Sequence, residues 1–190
     1  RQATGTGVTL VGGNHDYWLG RHLRDEFGFD LAPEGLIAEH QGRRLLLDHG
    51  DESLSGDRGY LALKKIIRNP LFIGAARLLH PDITLWAADK LSHGSRWLDH
   101  QGESRARPAR PLRLKRLLDD RFDALILGHL HLGFHYRYRA WEILCLGDWI
   151  VRFSYARLRG GQLDLLDDRG NAFPAVPVDD PDLPPRCRIR

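Results

Sequence analysis

The chain has 190 residues, 42% of them hydrophobic and 28% charged, with 20 Gly, 10 Pro, 2 Cys and no Met. That length suits one domain with a real core and is too short for two full domains and a linker. No stretch free of Asp, Glu, Lys and Arg reaches the ~17 residues of a membrane-spanning helix, Cys145 and Cys187 match no metal or redox spacing, and a net charge of +3 gives no argument for a nucleic-acid partner.

Residues 8–11 form a short apolar, β-branched run that stops at Gly12-Gly13, which predicts a buried strand feeding a tight loop. Helical signals follow over 18–27. Residues 36–39 and 44–48 flank a polar turn at Gly42, which predicts a hairpin. The segment 57–120 differs in character. Helical spacing over 60–67, 71–79 and 83–91 is separated by Asn69-Pro70 and His80-Pro81, and Pro at those places suits helix starts. These helices are unusually apolar, with Leu71, Phe72, Ile73, Leu78, Leu79, Leu85 and Trp86.

A polar loop over 101–111 and a basic amphipathic helix over 112–118 follow. Residues 124–127 predict a second buried strand. Two hairpins come next, 135–139 with 142–146 and then 153–157 with 162–166, the latter turning at Gly160-Gly161. Residues 167–190, rich in Pro and Asp, are expected to form a tail without a core.

Three of the apolar strands end in a loop that sets Asn or His beside Gly: Asn14-His15-Asp16, His49-Gly50-Asp51 and His129-Leu130-His131. Ligand sites of open α/β sheets form at the carboxyl ends of strands, and neutral His and the Asn carbonyl are good donors to Zn, Mn or Fe. In an extended strand end His129 and His131 point to one side, so they bind one metal together or one metal each. The plainer alternative is that these side chains cap loops.

Gly13-Asn14-His15-Asp16, His49-Gly50-Asp51 and Gly128-His129-Leu130-His131 resemble, in order and in placement, the third, fourth and fifth motifs of the calcineurin-like metallophosphoesterases. The resemblance implies an α/β fold, an αββα sandwich, and two divalent metal ions. Asn14, His49 and His129 would hold one metal and His131 the other. His15 would stand beside the scissile phosphate as a catalytic group, with Asp16 orienting it.

A narrower resemblance covers much of the middle of the chain. Gly13-Asn14-His15-Asp16-Tyr17-Trp18, Gly56-Asp57-Arg58-Gly59-Tyr60, Lys64-Lys65, Leu79-His80-Pro81-Asp82, Ser92-His93-Gly94-Ser95-Arg96 and Leu146-Gly147-Asp148-Trp149 are similar to the UDP-2,3-diacylglucosamine diphosphatases of lipid A biosynthesis. In that family the segment between the fourth and fifth motifs, here 57–120 within a domain 1–166, is a helical lid over two acyl chains. Asp57, Ser92 and Arg96 match positions that touch the glucosamine and phosphate, and Asn14, His15 and His129 would line the phosphate too. The family implies hydrolysis of a lipid-linked UDP-sugar to UMP and 2,3-diacylglucosamine 1-phosphate, with manganese the ion it suggests and iron and zinc left open by the ligand types. It also implies a cytoplasmic protein peripheral to the inner membrane surface, and leaves the oligomeric state open. Two alternatives stand beside it: a general or nucleotide phosphodiesterase of the same fold, and a non-catalytic scaffold domain.

The family's two earlier motifs, an Asp-x-His and a Gly-Asp, have no counterpart in the twelve residues before Gly13. With the absent Met, this is read as a fragment that lacks the N-terminal strands. The Gly-Asp carboxylate bridges two ions about 4 Å apart and offsets their repulsion. Without it, the 190 residues are expected to bind one metal weakly, to be nearly inactive, and to expose a sheet edge.

Overall fold

The computed structural model describes residues 5–14, 16, 20–51, 58–86, 89–90, 114 and 117–180. The fold is mixed α/β. It divides into two compact units, one made of Arg1–Gly56 with Leu112–Arg190 and the other of Asp57–Pro111.

In the first unit, β1 (Thr9–Val11) pairs in parallel with β2 (Asp30–Ala32), Leu10 lying opposite Leu31. Between them runs α1 (His22–Phe27), shorter than the 18–27 expected: Gly20 and Arg21 precede it outside the helix, and residues 17–19 lie outside the described residues. It ends at Gly28, whose φ of 66° lets its N–H turn back to the Arg24 carbonyl at 2.9 Å. The expectation that 8–11 is a buried strand is corrected. Val8 and Thr9 are exposed and Leu10 and Val11 half-buried, because among the described residues β2 is the strand that pairs with β1. An apolar run alone does not say how many neighbours a strand will have.

The larger sheet has six strands in the order β11-β6-β7-β5-β4-β3. β3 (Leu36–His40) and β4 (Arg43–Asp48) form the expected hairpin, joined by Gln41 and Gly42, both at positive φ (51° and 73°), as the twist of a two-residue hairpin loop demands. β5 (Ala124–Leu127) lies parallel to β4 on one side and to β7 (Trp141–Leu146) on the other, while β6 (Gly133–Tyr138) returns antiparallel to β7. β8 (Ser154–Arg159) and β9 (Gln162–Asp167) turn through Gly160 and Gly161 (φ 58° and 80°) and join β10 (Ala172–Phe173) in a three-stranded antiparallel sheet.

Every residue of β5 is buried, and alternation along it sorts two cores. Ala124 and Ile126 meet Leu45, Leu144, Leu163 and Leu165 between the two sheets. Leu125 and Leu127 meet Phe122, Phe134, Tyr136, Ile143, Cys145 and Leu114 on the opposite face. Each such side chain contributes about 1.5–3 kcal/mol by leaving water. Leu114 lies in this core, so residues 112–120, expected within the insertion, belong to the first unit. The tail expectation also needs correcting in its first part. β10 pairs with β9, and β11 (Val176–Pro177) pairs in parallel with β6, with Val178 donating to the Arg137 carbonyl at 3.0 Å. Edge strands tolerate the Pro that made this stretch read as coil. Residues 181–190 lie outside the described residues.

The inner face of the large sheet also carries charge. Glu142 on β7 receives Arg43 on β4 at 3.0 Å through both terminal guanidinium nitrogens and faces His135 on β6 at 2.8 Å. Arg43 donates onward to the Gly161 carbonyl at the β8–β9 turn. Gln41 completes that tie, donating to the Leu158 carbonyl at 3.3 Å and accepting from Gly161 N–H at 3.2 Å.

The second unit contains α2 (Arg58–Ile67) and α3 (Pro70–Arg77), with a further helical turn over 81–86. Asn69 caps α3, its side chain accepting from the Leu71 N–H at 2.8 Å, and Pro70 takes the first helical position, as the sequence predicts. Leu71, Leu78, Leu79, Leu85 and Trp86 are exposed. Among the described residues no helix is long and apolar enough to cross a membrane.

Candidate functional site

The parallel register builds the site. Asp48, the last residue of β4, lies opposite Leu127, the last of β5. The next residues along each chain are His49 and Gly128-His129, so two of the three loops leave the sheet side by side. The rings of His49 and His129 stand edge to face with centroids 5.1 Å apart. Asn14 arrives from the loop after β1, and its Oδ1 lies 2.9 Å from His49 Nε2.

Two glycines let the His49 ring sit there. A Cβ on Gly13 would come within 3.1 Å of His49 Cε1 and 3.2 Å of Asp16 Oδ2, and one on Gly128 within 3.3 Å of His49 Nδ1. Larger residues would push the ring off both neighbours. Asp16 Oδ2 accepts from the Gly13 N–H at 3.3 Å, closing the loop that presents Asn14. His15, the partner expected for Asp16, lies outside the described residues, as do Asp57, Ser92 and Arg96.

After β5 the chain is not extended. His129 and His131 both take left-handed conformations (φ 62° and 55°), and Leu130 N–H closes on the Gly128 carbonyl at 2.7 Å. The alternation argument that put the two imidazoles on one side therefore does not apply. A His at positive φ is uncommon and costly enough to mark a constrained position. His131 turns instead toward Asp148, Nδ1 to Oδ2 being 3.7 Å. Sequence reasoning quoted Asp148 within a motif but gave it no role. The signal was present, since Leu146-Gly147-Asp148 repeats the pattern of an apolar strand stopping at Gly beside a polar residue.

β7 runs parallel to β5, Leu127 lying opposite Cys145, so its carboxyl end delivers Asp148 to the same edge. Gly147 (φ 75°) makes the turn, where a Cβ would fall 2.6 Å from Ser154 Oγ, and that hydroxyl donates to the Leu146 carbonyl. Asp148 Oδ1 accepts from the N–H groups of Val151 (2.6 Å), Ile150 (2.8 Å) and Arg152 (3.3 Å). The Val151 N–H first, then those of Ile150 and Arg152, and last the nearby His131 hold its carboxyl below the usual carboxylate range. Behind the site, the buried Cys145 Sγ lies 3.4 Å from the Gly128 carbonyl, and burial pushes its thiol up to about 11.

Asn14 Oδ1, His49 Nε2 and the His129 ring stand together at this edge as a half-shell, and the 2.9 Å between the first two is about the edge spanned by two ~2.1 Å bonds at a right angle. This set fits one divalent ion on one side. Among the described residues no group of three or more His, Cys, Asp or Glu gathers in a way that could hold a metal, so the half-shell has no anionic member.

No family model matches the sequence. Curated proteins named UDP-2,3-diacylglucosamine hydrolase do. That of Pseudomonas putida is 33% identical over 93 residues, 49% of this chain and 39% of that protein. That of Pseudomonas fluorescens is 27% identical over 151 residues, 77% of this chain and 61% of its own. That of Pseudomonas savastanoi pv. phaseolicola is 26% identical over 182 residues, 92% and 70% respectively. The chain thus spans less than two thirds of the first two proteins' length. Over nine tenths of its own length it is similar to proteins named as hydrolases of a UDP-diacylglucosamine.

Proposed function

We propose that this chain carries part of the active centre of a metal-dependent UDP-2,3-diacylglucosamine hydrolase on a metallophosphoesterase-type sandwich, cleaving the pyrophosphate to UMP and 2,3-diacylglucosamine 1-phosphate. The observation that carries this reading is the convergence of Asn14, from the loop after β1, with His49 and His129 at the adjoining ends of β4 and β5, each from one of the three ordered motifs. The names of the curated relatives support the substrate class. Asn14, His49 and His129 would hold one divalent ion, manganese first among the candidates, and His131 a second; bound ions supply charge for the phosphoryl oxygens and an activated water.

The chain's own residues do the positioning. Gly13 and Gly128 fix the plane of His49, and Asp16 shapes the loop that presents Asn14. The exposed apolar side chains of the second unit support a role in holding acyl chains, and a peripheral place at the inner membrane surface suits a substrate with two of them. Because the half-shell has no carboxylate among the described residues, the 190 residues alone are expected to bind one ion weakly and to turn over far below ordinary enzyme rates.

The test is a manganese titration of the 190-residue chain followed by electron paramagnetic resonance, with UMP release from the acyl substrate measured in parallel. One weak site, lost in His49→Ala, is the expected result. No binding up to millimolar manganese would overturn the metal reading, and ordinary turnover by the bare chain would overturn the incomplete shell.

A further inference from the structure

The geometry points to Asp148 as the positioning residue for His131: it holds the imidazole as the tautomer with the proton on Nδ1, which leaves the Nε2 lone pair for a ligand. This rests on the reading of His131 as a metal ligand. The carboxylate is the fixed member of the pair. Its side chain is 10% exposed, against 66% for His131, and Oδ1 is committed to three loop N–H groups from Ile150, Val151 and Arg152. Those bonds set the plane of the carboxyl, and Oδ2 is the oxygen that faces His131 Nδ1 at 3.7 Å. That separation is an approach rather than a hydrogen bond. Rotation of the exposed ring by less than about 1 Å at Nδ1 closes it.

The placement is also a property of the fold. The strand that leads to Asp148, β7, lies parallel to and beside β5, the strand that leads to His129 and His131, with Leu127 opposite Cys145. Glycine at 147, which its φ of 75° and the nearby Ser154 hydroxyl require, aims the chain back across that edge. An acceptor fixed beside one imidazole nitrogen selects the tautomer that donates to it, and such carboxylate partners orient ligating histidines and raise their basicity. Sequence periodicity alone places no acceptor at His131, because the acceptor comes from a strand 17 residues later through a parallel pairing.

The experiment reads tautomers directly. Long-range proton–nitrogen spectra of the 15N-labelled, metal-free chain are recorded at a pH where imidazoles are neutral, with His131→Gln used to assign the signal. The expected wild-type result is His131 protonated on Nδ1. Asp148→Asn keeps an oxygen for the loop N–H groups but can turn an amide donor toward the ring, and is expected to move the proton to Nε2. A wild-type His131 protonated mainly on Nε2, or a tautomer unchanged by Asp148→Asn in a folded chain, would overturn the proposal. Should Asp148→Asn lose its dispersed spectrum, the wild-type tautomer decides alone. Failure of the wild type to bind manganese would sink the hydrolase reading and leave the tautomer result standing, so the two failures are distinguishable.

Discussion

Replacing Glu142 by Gln removes one charge from the inner face of the large sheet while keeping its shape. Two Arg43 nitrogens sit 3.0 Å from Oε1, and His135 Nε2 sits 2.8 Å from Oε2. The three side chains are 21%, 13% and 5% exposed for Arg43, Glu142 and His135, so little water is available to replace the lost charge. A hydrogen bond to a charged group is worth about 1.5–3 kcal/mol. The glutamine can still accept from Arg43 and donate to a neutral His135. The net cost is therefore about 2 kcal/mol, below the 3–5 kcal/mol of a fully buried broken pair, and for a chain of this size it lowers Tm by roughly 4–8 °C.

The sign of the pH dependence follows. The His135 hydrogen bond, with the Arg43 guanidinium, holds Glu142 below its ordinary value of 4.5. A carboxylate with a depressed folded-state pKa contributes stability that is present above its unfolded value and is lost as pH falls through the folded one. The gap between wild type and Glu142→Gln that this carboxylate contributes should thus be present above pH 4.5 and should close as acid protonates Glu142. Urea unfolding followed by the fluorescence of Trp141, whose indole N–H donates to the Phe122 carbonyl at 3.1 Å, measures it at each pH. A difference under about 0.5 kcal/mol at pH 7, or a gap that stays open once acid has protonated Glu142, would refute the reasoning.

Gly13→Ala places a methyl 3.1 Å from His49 Cε1. It should displace the ring by a few tenths of an ångström, cost about 1–2 kcal/mol in urea unfolding, and weaken manganese binding; binding equal to wild type would mean that His49 is not held by this contact. In a Cys187→Ser background the Cys145 thiol, fully buried with its pKa at about 11, should react with a disulfide reagent at pH 8 at least 100-fold more slowly in the folded than in the urea-unfolded chain. Equal rates would contradict its burial.

The hairpins could be read from the sequence because their information is local. Gln41-Gly42 and Gly160-Gly161 reach positive φ at turns flanked by alternating apolar residues, and no distant partner is needed to recognise that. The convergence of Asn14, His49 and His129 was legible for a related reason: three strands end in the same kind of phrase. What escaped depends on pairing across the chain. Asp148 reaches the site through the parallel pairing of β7 with β5, which periodicity does not encode. Likewise the half-exposure of β1 and the strands at Ala172 and Val176 depend on which neighbours are present. The left-handed turns at His129 and His131 were missed because neither residue is Gly, the usual mark of such a conformation.

The tie between the Gln41–Arg43 turn and the β8–β9 turn spans 117 to 120 residues of chain. On a ribosome adding about 5–20 residues per second, the first half of that tie exists for roughly 6–24 s before the second emerges. For most of that interval β4 has no β5 beside it, since the whole Asp57–Pro111 unit is made in between. The Arg43 guanidinium and the apolar face at Leu45 and Leu47 must wait in the open. The two sheets therefore close on each other as a late event in synthesis, and the early hairpin waits through most of it with its inner face uncovered.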